Sequence, residues 1–452
     1  MKSTSLARVA ATATVLSVLL LVALPKAQAQ TETVLYNFCS VDNCNDGGAP
    51  NGPLTVGWNG NFYGTTNSSG ANDEGAVFGL YPEPAGGCET GSNAGNGWCE
   101  FVLYNFCSVA NCADGALPLG NVAFLNGSIR RPGNLYGTTL VGGGNPPCTD
   151  SSGCGTVFEI FPEPLSPPGC PSGTNGGNGW CEAVLYKFCS LADCADGTNP
   201  VGNLVEDSAG NLYGTVANGV FELSPNGSGG WTEALIYQDS IYQFNGNVQG
   251  GLAIDSAGNL YGVDADHTGV GNAFKLSFSN QNGWTPEILH TFTGEPDGAF
   301  ANGPPALDSA GNVYGTTYLG GGRNNGTVWK LELVTKGKDA GTYKEKLLHQ
   351  FTNSKTGIFP SGGVMLDSSG NIYGTAEYGG SKECILDCGI VFELAASGTT
   401  YKYQLLWTFN QTDGLGGEFP SSSPILGSSG NLYGVTRGGG SEGSGTVYEL
   451  TP

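Results

Sequence analysis

The sequence predicts an all-β fold, a seven-bladed β-propeller of four-stranded antiparallel blades, and three observations carry that prediction. The pentapeptide Gly-Asn-x-(aromatic)-Gly occurs seven times, beginning at Gly60, Gly133, Gly210, Gly258, Gly311, Gly370 and Gly430. Its copies lie 48 to 77 residues apart, the spacing of propeller blades rather than of helical arrays. Around each copy stand short β-branched and aromatic runs bounded by Gly, Asn, Ser and Pro, with no helical face. The third observation concerns the two ends. A fourth-strand pattern at 34–38 precedes every complete unit, and a third-strand pattern at 445–450 finishes the last one. These two would pair, complete the seventh blade and leave no open edge.

Residues 1–29 read as a signal peptide. Lys2 and Arg8 make a basic start, 15–24 is apolar, and Ala27-Gln28-Ala29 has the small-x-small form of a cleavage site. Residues 30–452 then read as one propeller domain of seven tandem repeats, secreted to the periplasm or beyond after cleavage near Ala29. The apolar run falls short of the roughly 20 residues of a membrane span.

Within a unit, four runs recur in fixed order. The first is Gly-led and apolar, as at 251–255 and 363–367. A Ser-Ala-Gly-Asn or Ser-Ser-Gly-Asn turn follows, whose glycine can take positive φ and close a hairpin. The second run is Asn-Leu-Tyr-Gly-Thr-Thr at 134–139, and the third is Gly-Thr-Val-Phe-Glu-Ile at 155–160. The fourth opens on an aromatic and closes on an apolar cluster, as from Trp284 to Phe292. Runs two and three are nearly continuous in apolar character, which fits burial on both faces between blades. The glycine after the repeat tyrosine is expected to let a neighbouring blade approach closely.

The 14 cysteines fall into seven local pairs. Cys39/Cys44, Cys107/Cys112 and Cys189/Cys194 are one C-x4-C unit used three times; Cys88/Cys99 and Cys170/Cys181 are one C-x10-C unit used twice. Cys148/Cys154 and Cys384/Cys388 complete the set. Recurrence within repeats points to disulfides inside each unit and to an oxidising compartment. The spacing has no C-x2-C element, which counts against zinc.

The formal charge is −22, becoming −25 once Lys2, Arg8 and Lys26 leave with the leader. That balance disfavours nucleic acid and anionic membrane surfaces as partners, so no nucleic acid is expected, and it favours neutral ligands or cations. No cofactor is implied, although calcium could be held by loop carboxylates; the dense D-x-D-x-D-G loop is absent. The chain is read as a monomer.

Strand order places the fourth-to-first and second-to-third loops on one end of the ring. The first set carries Asp46, Asp114, Asp196, Asp297 and Asp413, each before a glycine. The second set is Gly-rich, varies most in length, and carries His267, Tyr318, Arg323, Tyr378 and Arg437. Variable loops on a rigid scaffold are where binding resides, so these ten are the candidate ligand-binding residues. Each Asp-Gly is equally ordinary turn chemistry. No catalytic residue is assigned. His290 and His349 occupy the slot of Tyr36, Tyr104 and Tyr186 and read as structural. The G-x-S-x-G match at 439–443 has no following helix, so it is not a nucleophile elbow.

The repeat of Gly-Asn-Leu-Tyr-Gly-Thr-Thr, a glycine loop and Gly-Thr-Val-Phe-Glu-Leu is clearest at 133–160, 311–331 and 430–450. It resembles the Gloeo/Verruco (GloVer) tandem repeat of exported bacterial proteins, and its layout is more distantly similar to NHL-type propellers. The resemblance implies an exported repeat protein and brings no catalytic residues with it. The function expected is a secreted binding or interaction scaffold for a glycan, peptide or protein partner, using the loop face or central channel. An extracellular propeller enzyme of lyase or hydrolase type and a purely structural protein are the alternatives.

Overall fold

A computed structural model of the chain describes residues 30–57, 60–88, 93–125, 133–144, 153–165, 168–238, 250–264, 270–380, 388–410 and 416–451. Seven antiparallel sheets form the blades of a ring. Blade I has Gly48–Pro50 and Thr55–Val56 innermost, then Phe62–Ser68, Ala76–Pro82 and Trp98–Asn105, with Asn93–Gly95 added outside. Blade II repeats the plan with Ala123–Phe124, Leu135–Thr139, Thr156–Pro162, Trp180–Lys187 and the outer Asn175–Gly177. Blade III runs Val201–Glu206, Leu212–Val216, Gly219–Pro225, Trp231–Gln238, and blade IV Ala253–Ile254, Leu260–Asp264, Asn272–Ser279, Gly283–Thr291. Blade V is Ala299–Leu307, Val313–Leu319, Thr327–Leu333, Tyr343–Gln350, and blade VI Met365–Leu366, Ile372–Ala376, Ile390–Ser397, Thr400–Thr408. Blade VII takes Ile425–Leu426, Leu432–Thr436 and Thr446–Thr451 from one end of the chain and Thr31–Asn37 from the other. Thr31 pairs with Thr451 and Asn37 with Thr446, so the predicted ring closure is present.

The repeated pentapeptide has a steric reason. In every blade its final glycine lies directly across from a third-strand aromatic: Gly64/Phe78, Gly137/Phe158, Gly214/Phe221, Gly262/Phe274, Gly315/Trp329, Gly374/Phe392 and Gly434/Tyr448. A β-carbon on Gly374 would stand 2.5 Å from the Phe392 ring, and one on Gly262 2.4 Å from Phe274. The ring that fills this space belongs to the same blade, not to a neighbour as the sequence led us to expect. The neighbour meets the ring instead. Phe38 reaches Phe78 at 4.9 Å between centroids, Phe106 reaches Phe158 at 4.9 Å, and Phe188 reaches Phe221 at 5.1 Å. Phe351 and Phe392 do the same at 5.4 Å, and Phe409 and Tyr448 at 5.1 Å. Each glycine thus seats a ring that joins two blades, and aromatic burial of this kind dominates core energetics.

The turn before the second strand follows one pattern in blades III to VI. Asp255 Oδ1 accepts from the backbone N–H groups of Ala257 and Asn259, while Oδ2 accepts from the Asn259 amide and the Tyr261 hydroxyl. Asp207, Asp308 and Asp367 do the same for Tyr213, Tyr314 and Tyr373. Gly427 replaces this aspartate in blade VII, and Tyr433 donates instead to Glu449 at 2.8 Å.

Five of the predicted disulfides are formed: Cys39–Cys44, Cys88–Cys99, Cys107–Cys112, Cys170–Cys181 and Cys189–Cys194. Cys154 and Cys388 are buried and disulfide-bonded. Their predicted partners, Cys148 and Cys384, lie outside the described residues. Among the described residues no helix is long and apolar enough to cross a membrane.

Outer strands add a polar contact between blades. Trp407 of blade VI donates its ring N–H to Glu32 of blade VII at 3.0 Å. The register equivalent in blade II, Glu182, is fully buried, accepts from the Asn175 amide at 3.1 Å, and faces Tyr104 and Asp114. Burial pushes its carboxyl up to about 8; Asn175 and Lys187 oppose the rise and the Asp114 charge adds to it.

Two predictions follow from this packing. Gly374→Ala should cost about 2 kcal/mol in denaturant unfolding, because overpacking against Phe392 outweighs the small strand-entropy gain; no loss would refute the seating role. Glu182 is protonated when folded at neutral pH, so its contribution is complete below the unfolded carboxyl range and is lost as pH rises through about 8. Wild type should lose on the order of 3 kcal/mol over that window through this group. Glu182→Gln should flatten the Tm-versus-pH curve, whereas parallel curves would show that Glu182 does not carry the effect.

Candidate functional site

The two predicted loop sets share one end of the ring. Ala116 bridges Val141, Ile358 bridges Tyr378, and Gly417–Glu418 pairs with Gly438–Gly439, each tying a fourth-to-first loop to a second-to-third loop. The innermost segments leave only a narrow axial cavity of about 60 Å³, walled by small residues such as Gly52, Gly120, Gly202, Gly362 and Ser422. At the loop end, between blades V and VII, it adjoins a wider cavity of about 340 Å³ lined by Asn51, Phe300, Ala301, Asn302, Tyr318, Ser361, Glu377, Tyr378, Ser421 and Arg437.

The repeat itself explains why this arc differs from the rest. Three residues after the pentapeptide's last glycine, blades I to III carry Asn67, Leu140 and Ala217. The same register in blades V to VII carries Tyr318, Glu377 and Arg437. A second position shows the same contrast. Ala49, Leu117 and Asn199 are left-handed in blades I to III, and Phe300 (φ 54°), Phe359 (φ 59°) and Phe419 (φ 58°) are left-handed in blades V to VII. Bulky residues in that region are strained and worth attention. Inter-blade and cross-loop hydrogen bonds hold them: Phe359 N–H donates to Asn325 O at 2.9 Å and Phe419 N–H to Cys388 O at 2.9 Å.

These side chains form a continuous half-buried strip. Tyr318 stacks on Phe359 with centroids 5.0 Å apart, Phe359 meets Tyr378 edge-on at 6.1 Å, and Tyr378 meets Phe419 at 5.5 Å. Beside it, Arg437 bonds Glu377 at 2.5 Å; the glutamate side chain is 8% exposed and the arginine 43%. Burial pushes the Glu377 carboxyl above its usual range and Arg437 opposes the rise. Burial, with the Glu377 charge, pushes the Tyr318 hydroxyl up to about 12, so it stays a hydrogen-bond donor at any physiological pH.

Of the ten sequence candidates, the structure brings Tyr318, Tyr378 and Arg437 together. Arg323 is exposed in a turn and does not line the cavity. Asp46, Asp114 and Asp196 are buried and engaged: Asp46 accepts from the Tyr36 hydroxyl at 2.9 Å, from Ser40 N–H at 2.9 Å and from the Ser40 hydroxyl at 3.0 Å. Asp114 and Asp196 hold Tyr104 and Tyr186 alike, and Asp297 bonds His290 at 3.2 Å. Asp413 and His267 lie outside the described residues. His349 stacks on Tyr403 at 4.2 Å, and burial lowers its ring to about 4. Sequence reasoning missed Phe300, Phe359, Phe419 and Glu377; aligning the repeats column by column would have exposed them as aromatic or charged departures from the uncharged, non-aromatic residues of blades I to III.

Residues 247–452, the last four blades, match the Gloeobacter/Verrucomicrobia repeat. The aromatic strip and the Glu377–Arg437 pair lie within that repeat segment. No curated protein matches the chain. Among solved structures, virginiamycin B lyase from Staphylococcus aureus is similar at 12% identity and TM-score 0.47, covering 94% of this chain and 99% of that one. A Trichoderma reesei carbohydrate-active enzyme of family AA12 is similar at 10% identity and TM-score 0.36, covering 94% and 96%. A gluconolactonase from Xanthomonas campestris is similar at 13% identity and TM-score 0.34, covering 60% and 75%.

Removing one member of the ion pair tests its placement. Arg437→Ala leaves Glu377 buried without its cation and should cost about 1–3 kcal/mol at pH 8. The carboxyl, already raised, would rise further, so the cost should shrink towards pH 5 as Glu377 takes up a proton. A pH-independent Tm difference would contradict this coupling.

Proposed function

We propose that this chain is a secreted binding scaffold whose ligand sits on the loop-end rim of blades V to VII. One observation carries the reading: two equivalent register positions hold small or unremarkable residues in blades I to III and aromatic or charged residues in three consecutive blades. A purely structural role would need no such asymmetry, since blades I to III already satisfy the fold with the simpler residues. The cavity falls in the size range of ligand pockets, is partly apolar, and has a few polar groups converging on it. The leader-like segment and the five described disulfides support export. Glu377, a carboxylate that lines this cavity, is engaged by Arg437 and serves as a fixed acceptor.

A thermal-melt screen against polysaccharides and muropeptides, with calcium or EDTA, tests the reading. A ligand of the native state present at about 100 times its Kd stabilises by about 2.7 kcal/mol, which a melt resolves. The expected result is a ligand-specific rise in Tm that Tyr378→Ala abolishes. A rise that Tyr378→Ala leaves intact would place binding elsewhere, and no rise with any compound would favour the structural role.

A further inference from the structure

Resting on that binding reading, we propose that the rim of blades V to VII takes a neutral oligosaccharide, a chain of pyranose rings laid along Tyr318, Phe359, Tyr378 and Phe419. The four rings follow one another at 5.0, 6.1 and 5.5 Å, with Tyr318 and Tyr378 lining the cavity and Phe359 and Phe419 packed beside them, a succession of rings that suits more than one sugar unit. Aromatic faces carry negative quadrupolar charge and attract the weakly positive C–H faces of sugar rings. The polar groups match hydroxyls rather than ions. Glu377 and Arg437 cancel in charge while offering an acceptor and a donor side by side, and Asn51 adds an amide that offers both.

Charge argues against an anionic ligand. The chain carries −22 overall, and Arg437, the cation of this cavity, is already neutralised by Glu377. A peptide strand fits poorly for a different reason. Strand addition needs backbone groups free for pairing, and here the rim backbone is committed: Glu377 N–H donates to Phe359 O at 3.2 Å and Arg437 N–H to Phe419 O at 3.1 Å. The same bonds hold the rings in place before binding, which lowers the ordering cost.

Calorimetry on the full chain with cello-, chito-, xylo- and malto-oligosaccharides of increasing length, and with oligogalacturonate as the charged probe, tests the class. At least one neutral hexamer should bind, more tightly than its trimer and far more tightly than its monomer, with little dependence on salt. Tyr318→Ala and Tyr378→Ala should each weaken binding roughly tenfold, and the Phe versions should retain most of it. Trp231→Ala, in a groove between blades II and III, should change nothing. Salt-sensitive preference for oligogalacturonate would overturn the neutral-sugar inference while leaving the binding rim standing. So would the selection, from a displayed peptide library, of binders that lose affinity to Tyr378→Ala when no sugar binds. Binding that ignores both tyrosines would overturn the rim itself.

Discussion

Everything in this ring depends on a missing side chain. The glycine that ends each pentapeptide leaves a space one β-carbon deep, and a third-strand aromatic from the facing strand fills it. That ring then touches an aromatic residue contributed by the preceding blade. One steric vacancy therefore sets the packing within a blade and the distance between blades. Seven copies make a closed structure whose core is a circuit of aromatic contacts, and strand 31–37 against 446–451 removes the edge that would otherwise be open.

A scaffold this repetitive provides its own control. Where Tyr318, Glu377 and Arg437 stand, the same backbone in blades I to III accepts Asn67, Leu140 and Ala217. Folding does not call for a tyrosine, a buried glutamate or an arginine at that register. The left-handed slot makes the point independently, since alanine, leucine and asparagine occupy it elsewhere and three phenylalanines occupy it here. Strain at a fixed backbone position recurs in blades I to III and V to VII; the aromatic rings placed on it are confined to blades V to VII. The contrast is between columns of one molecule, so it needs no comparison with other proteins.

The architecture was legible because each of its signals is local and recurs: a pentapeptide, an Asp-x-x-Gly-Asn turn, a Cys pair, a terminal half-blade. Strand pairing, blade count and closure follow from counting them. The site was only partly legible. Tyr318, Tyr378 and Arg437 stood out as polar or aromatic residues in variable loops. Phe359 and Phe419 read as ordinary apolar residues before proline, and nothing in a linear sequence shows that their backbone is left-handed or that their rings meet Tyr318 and Tyr378. Glu377 was hidden because its significance lies in an ion pair with a residue of the next blade, 60 positions away. The Asp-Gly aspartates show the reverse difficulty. Their spacing looked like a ring of ligands, yet Asp46, Asp114 and Asp196 accept from the tyrosine of the preceding strand and from the serine N–H that follows it.

The most direct measurement replaces the distinctive arc with its own equivalents. In the full chain, Tyr318→Asn, Glu377→Leu and Arg437→Ala together install residues that blades I to III already carry at the same register. Because both members of the ion pair leave at once, no buried charge is stranded. Retention on immobilised polysaccharide and the melting temperature are then read side by side. The account predicts an unchanged melting temperature with retention lost. A variant that is retained as well as wild type would contradict it, and so would one that no longer folds, since these side chains would then be serving the ring and not a ligand.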